Sequence, residues 1–181
     1  MVKVTVVAVT ERGDGKKGTA LTLLDEAGKR VLNIWIGERE AEVIALGIAE
    51  TPPIRPLGMH LMVNLLKVTG VELEEVRIET LKDDIFYAVA KFRNGDVSHE
   101  LDARPSDAIA LAMLMDKPIH IADEILERAG VILPGSKTVQ MGKAREAVLK
   151  KVEELSSKQT SFIKEECEEA NRKLVAFLTG E

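Results

Sequence analysis

Apolar and polar positions alternate along the first part of the chain and then change to helical spacing. The alternation has a period of two and predicts three strands, at residues 2–10, 19–24 and 31–36. Apolar residues three and four positions apart then predict two helices, at residues 40–49 and 57–69. In the second helix the apolar stripe is formed by Leu61, Leu65 and Val68. Pro52 and Pro53 separate these helices, and Gly70 follows the second as a stop signal. The first seventy residues are therefore predicted to form three strands followed by two helices.

The next sixty residues repeat this order. Strands are predicted at residues 71–80, 85–92 and 97–101, and helices at residues 105–115 and 123–129, with a short extended link at 118–121. Asn94 and Gly95 predict a tight hairpin turn, because both residues accept the positive φ angles that such turns need. The pattern predicts an α+β domain at residues 1–135, built from repeats at about 1–70 and 71–133 that share a mainly antiparallel sheet.

The sequence beyond Pro134, Gly135 and Ser136 has a different character. Apolar residues from Ala144 to Leu178 recur at steps of three, four and seven, which predicts a C-terminal amphipathic helical extension at residues 136–181. An apolar stripe of that length is typical of an interface, so a homo-oligomer is predicted, most simply a dimer.

Composition narrows the class of protein. Hydrophobic residues make up 45% of the chain and charged residues 30%, which indicates a folded globular protein without a membrane segment. The single cysteine, Cys167, fits a reducing cytoplasm, and abundant Glu and Lys with few Gln resemble thermophile usage. A net charge of −5 and only 3% aromatic residues weigh against a nonspecific nucleic-acid binder, which usually carries a basic patch and stacking platforms.

The strongest candidate chemistry lies in a motif that occurs twice, at residues 37–47 and 102–112. Arg39 aligns with Arg104 and Glu42 with Asp107, each at the predicted start of a helix. One hypothesis is that the two arginines clamp a phosphate while carboxylates hold a divalent metal such as magnesium; those carboxylates are Glu38, Glu42, Asp102 and Asp107. The structural alternative is that the acids stabilise the helix starts and pair with the arginines.

His60 and Asn64 form a second candidate pair. They lie four residues apart on a predicted helix and therefore share a face. His60 could act as a general base with Asn64 orienting the substrate, or both could simply form the polar side of an amphipathic helix.

Three pieces of the chain resemble the bifunctional nuclease family, once catalogued as a domain of unknown function. They are residues 32–41, the tripeptide Arg55-Pro56-Leu57, and residues 102–111, and Lys117-Pro118-Ile119 is similar to the segment that follows in that family. The resemblance implies a duplicated α+β fold and DNase and RNase activity, and it adds Arg55 to the candidate substrate-binding residues. After Leu57 the family continues with Thr-His-Asp, whereas this chain has Gly58, Met59 and His60.

Two functional hypotheses follow. The first is a metal-assisted nuclease acting on DNA or RNA, with Arg39 and Arg104 as phosphate contacts and Glu42 and Asp107 as metal or base candidates. The second is a non-catalytic oligomeric module whose two equivalent helix starts bind a small anionic ligand or a protein partner.

Overall fold

The computed structural model describes residues 1–11 and 18–132, which form one sheet of eight strands with four helices. The elements in chain order are β1 (Val2–Glu11), β2 (Thr19–Asp25), β3 (Arg30–Ile36), α1 (Glu38–Ile48), α2 (Gly58–Thr69), β4 (Glu72–Lys82), β5 (Ile85–Asn94), β6 (Val97–Ala103), α3 (Pro105–Leu114), β7 (Ile119–Ile121), α4 (Asp123–Ala129) and β8 (Val131–Ile132). In this part of the chain no helix is long and apolar enough to cross a membrane.

The strands are ordered β6-β5-β4-β7-β1-β2-β3-β8, and every neighbouring pair is antiparallel except β4 with β7. The predicted α+β class with a mainly antiparallel sheet is therefore confirmed. The duplication stays a prediction, and the predicted extension at 136–181 lies outside the described residues.

The segment at residues 118–121 is extended as predicted, but it contains a strand of the sheet that the sequence did not identify. In β7, Ile119 and Ile121 are buried, and the strand lies between β4 and β1 at the centre of the sheet. Val76 stands opposite Ile119 on one side of β7, and Val4 stands opposite it on the other. Three residues are too few to show a period, so only the tertiary pairing identifies the strand.

The hairpin after β5 also differs from the prediction in its turn residues. Asn94 pairs with Val97, so the two turn residues are Gly95 and Asp96, and of these only Gly95 has a positive φ, at 60°. Glycine at the first turn position is the pattern of a type II′ turn. Asn94 itself ends the strand.

A buried carboxylate holds the turn between β2 and β3. Asp25 is only 3% exposed and accepts hydrogen bonds from the backbone N–H groups of Lys29 (2.7 Å) and Arg30 (3.0 Å). Arg30 Nε donates to its other oxygen at 3.0 Å, and Arg30 Nη1 donates to the exposed Asp123 at the start of α4 at 2.8 Å. Burial alone would raise the pKa of Asp25, but these hydrogen bonds outweigh it and hold that pKa below its usual value.

Candidate functional site

The starts of α1 and α3 lie together on one side of the sheet. Arg104, the N-cap residue of α3, reaches Glu40 in the first turn of α1, and near the other ends of these helices Gly47 faces Met113. The two helices therefore pack side by side in the same direction. The N-termini of both helices lie beside Arg104. Their dipoles therefore add a positive electrostatic potential that favours an anion at this point.

Arg104 is the centre of this site. Its Nε donates to Asp107 Oδ2 at 2.7 Å, and its Nη2 donates to Asp107 Oδ1 at 3.1 Å and to Glu40 Oε1 at 2.7 Å. Asp107 first and Glu40 second raise the pKa of Arg104 above its ordinary value. The Arg104 side chain is nevertheless 67% exposed, so solvent and a ligand can reach it.

Glu40 is the site residue that the sequence did not single out. Its own backbone N–H lowers the pKa of the Glu40 carboxyl most; burial opposes this, and the charges of Arg104 and Arg39 lower the pKa further. The carboxylate lies over Gly37, where a Cβ atom would collide with Glu40 Oε2. A glycine followed by a glutamate three residues later at a helix start is the sequence signal that could have identified this residue.

Arg39 and Arg104 occupy different positions although they align in the sequence. Pro105 keeps Arg104 extended at the N-cap, with φ −65° and ψ 141°, because the residue before a proline is disfavoured in the helical region. The position that aligns with Pro105 is Glu40, so α1 starts earlier and Arg39 lies inside its first turn, exposed. The charges of both arginines lower the pKa of Glu40. Residues from the two motifs therefore lie in one site.

The remaining predicted carboxylates are spread out. Glu38 is exposed in the first turn of α1, and Glu42 is partly buried one turn later and has a partner of its own. Asp102 stands opposite Val89, on the side of the sheet away from α3, because its neighbours Leu101 and Ala103 pair with the buried Ala90 and Ala88.

These placements test the predicted metal site. Within residues 1–11 and 18–132, no three His, Cys, Asp or Glu side chains are grouped so that they could hold a metal. Both oxygens of Asp107 already accept hydrogen bonds from Arg104. The carboxylates as they stand do not fit a metal centre.

The pair on α2 and Arg55 make no hydrogen bond with Arg104. His60 is partly buried, and its Nδ1 has no hydrogen-bond partner among the described residues. Asn64 is exposed on the same helix, and Arg55 is exposed in the segment before it. The hydrogen bonds of Arg104 go to Asp107 and Glu40 and to none of these three.

A second arginine shows what a purely structural cation looks like in this fold. Arg77, on the side of the sheet away from α3, pairs with Glu79 at 2.7 Å, Glu100 at 2.6 Å and Glu75 at 3.1 Å. Its side chain is mostly buried under these partners, whereas Arg104 remains open to solvent. Arg104 therefore differs from Arg77, whose role is structural, in that its side chain is exposed to solvent.

The chain matches known proteins over most of the described fold. A family model for the bifunctional nuclease domain matches residues 21–134. An uncharacterized protein of Mycobacterium tuberculosis, found in strains CDC 1551 / Oshkosh and ATCC 25618 / H37Rv, is 38% identical over 135 residues. That match covers 74% of this chain and 79% of the relative.

Proposed function

We propose that this chain, which belongs to the bifunctional nuclease domain family, hydrolyses phosphodiester bonds in DNA or RNA at the joined starts of α1 and α3. The observation that carries the proposal is the exposed guanidinium of Arg104 at the point where two helix N-termini meet. A guanidinium offers two parallel N–H donors to phosphate, and helix starts add a favourable dipole.

Binding a strand requires an exchange of partners at Arg104. A phosphate takes the place of Glu40 or Asp107 on the guanidinium, and Arg39 contributes a second positive charge on the same side. Asp107, once displaced, and Glu42 are the proposed bases, which accept a proton from a water that attacks the phosphorus. The P–O bond to the leaving sugar oxygen breaks in the same step, and that oxygen takes up a proton from solvent. Arg55 and Asn64 are proposed substrate contacts, and His60 is a further proposed base.

We propose a divalent metal such as magnesium as a candidate cofactor, to be tested by adding it to the assay. Glu38 and Asp102 were predicted as ligands, but they stand on different elements and form no ready centre. Magnesium in phosphate-processing sites is commonly held by one or two carboxylates together with the substrate's phosphates.

The test is hydrolysis of an end-labelled single strand, as DNA and as RNA, with and without magnesium. Wild-type protein should cut, and Arg104→Ala should lower the rate by about a hundredfold, the effect of removing one preorganised donor. Arg128→Ala is the matched control, because it removes the same charge from an exposed arginine on α4 that donates to Leu81 O. Equal rates in both variants would overturn the role of Arg104.

The second candidate is a non-catalytic oligomeric module that binds a small anion or a protein partner. It is favoured by the two carboxylates that already neutralise Arg104 and by the chain's net charge of −5. The same assay separates the candidates, since this module would bind phosphate-containing ligands at Arg104 without cutting any strand. A cytoplasmic location and the internal duplication are compatible with both.

A further inference from the structure

The helix α2 carries apolar side chains on two opposite faces. Met59, Val63 and Leu66 pack against the core. Leu61, Leu65 and Val68 repeat that spacing two residues later, and two residues turn a helix by about 200°. Their exposures are 69%, 60% and 85%. The sequence had singled out this stripe, and the structure turns it outwards.

An apolar face of a helix is normally packed against other parts of the protein. Here one side packs on the domain, and the outward side, with Leu61, Leu65 and Val68, meets solvent. Scattered exposed apolar residues are ordinary, but a continuous stripe on one helix face marks a contact surface.

Further apolar residues lie at the same edge of the molecule. The helix α1 packs on β1 and β2, α3 packs on β4 and β5, and α2 packs on α3, so α2 is the helix nearest the β6 edge. On β6, Val97 and Leu101 face the helix side of the sheet, since Leu101 pairs with the buried Ala90, and both are half-exposed. We call Leu61, Leu65, Val68, Val97 and Leu101 the α2–β6 surface.

We infer that the α2–β6 surface is the contact between two copies of this chain, arranged about a twofold axis near Leu65. In a twofold contact the same surface of each copy faces the other copy. A surface with charges of one sign would therefore be repelled by the identical surface of its partner. The helix α2 contains one charged residue, Lys67, although the whole chain has a net charge of −5. With one charge in twelve residues, α2 presents little charge that would repel a second copy.

A second copy has to cover both elements to bury enough area. A stable interface buries about 800 Å² on each partner. A helix of 12 residues is only about 18 Å long, so its stripe alone is too small and the apolar side chains of β6 must contribute. A competing occupant is the amphipathic segment 136–181, but β8, which precedes it, lies at the opposite edge of the sheet from β6.

The first measurement is the solution mass of the full-length chain by light scattering. Wild type should have twice the chain mass of 19.9 kDa. Leu65→Glu should weaken the dimer by ~100-fold or more, because two like charges would meet in a desolvated contact. Ile85→Glu is the control: Ile85 is equally exposed but lies at the β4–β5 turn, and this variant should stay dimeric. A monomeric wild type, or a Leu65→Glu variant that remains a dimer, would overturn the inference.

Cross-linking identifies the occupant independently of any effect of Leu65→Glu on folding. In the full chain carrying Leu65→Cys and Cys167→Ser, oxidation should link two chains through position 65. The same oxidation with Ile85→Cys should link few. With Cys167 retained, a 65–167 disulfide within one chain would show that the C-terminal segment covers α2, and the proposed contact between copies would be wrong.

Discussion

Replacing Asp25 by Asn should destabilise the domain because it breaks a buried ion pair without changing its shape. The Asn Oδ1 can still accept from the backbone N–H groups of Lys29 and Arg30, but its amide N–H would face Arg30 Nε, a donor against a donor. Charge-assisted hydrogen bonds contribute about 1.5–3 kcal/mol, and breaking a buried pair costs up to about 5 kcal/mol. Because Arg30 stays partly hydrated, we expect a loss of about 2–3 kcal/mol.

Asp123 provides the matched control, since it pairs with the same arginine at 2.8 Å but its side chain is 53% exposed. Asp123→Asn should cost less than about 1 kcal/mol, as exposed pairs do. With a urea m-value of about 2 kcal/mol/M, Asp25→Asn should lower the unfolding midpoint by about 1–1.5 M at pH 7. All proteins are compared at one concentration, because self-association shifts stability. Equal losses of unfolding free energy in the two variants would refute the claim that Asp25 is the stabilising partner of Arg30.

The pH dependence of the same variants follows from the depressed pKa of Asp25. A carboxyl with a lowered folded pKa stabilises the fold above its unfolded pKa of about 3.9, and that stabilisation is lost as the pH falls through the folded pKa. The difference between wild type and Asp25→Asn should therefore be constant from pH 5 to 7 and shrink below about pH 4. A difference that widens in acid would contradict the sign.

Two further predictions concern the site. Glu40→Gln should change the free energy of unfolding by less than about 1 kcal/mol, because its partner Arg104 is largely exposed. The variant should bind a single strand more tightly, because a carboxylate that competes for the Arg104 guanidinium is weakened. Weaker binding, measured by fluorescence anisotropy, would contradict this prediction. Gly37→Ala should raise the pKa of Glu40 in an NMR titration, because the added Cβ displaces the carboxylate from its backbone N–H and from Arg104; an unchanged pKa would show that the carboxylate does not need the open space over Gly37.

Much of the fold could be predicted because its strands and helices are long enough to show a period. The strands β1 and β4 contain ten and eleven residues, enough for the sequence to predict them, whereas β7 contains only three. Periodicity also cannot choose between two stripes on one helix. On α2 the sequence singled out Leu61, Leu65 and Val68, but the core took Met59, Val63 and Leu66.

The site was predictable only in part for a similar reason. The repeated motif identified Arg104 and Asp107, which do form a bidentate pair. The partner from the other motif is Glu40 instead of the aligned Glu42, because α1 begins earlier than α3 where no proline restrains it. Which residues meet across 64 positions depends on how α1 packs beside α3, and no local pattern contains that information.

The salt dependence of strand binding tests most directly whether Arg104 contacts phosphate. The logarithm of the association constant for a labelled single strand falls linearly with the logarithm of the salt concentration. Each phosphate contacted contributes about 0.7 to the steepness of that slope. Arg104→Ala should lower that slope by about 0.7, while Arg128→Ala, with the same loss of charge, should leave it unchanged. If both variants keep the wild-type slope, or both lose the same amount, Arg104 is a structural partner of Asp107 and Glu40 and the proposed site is wrong.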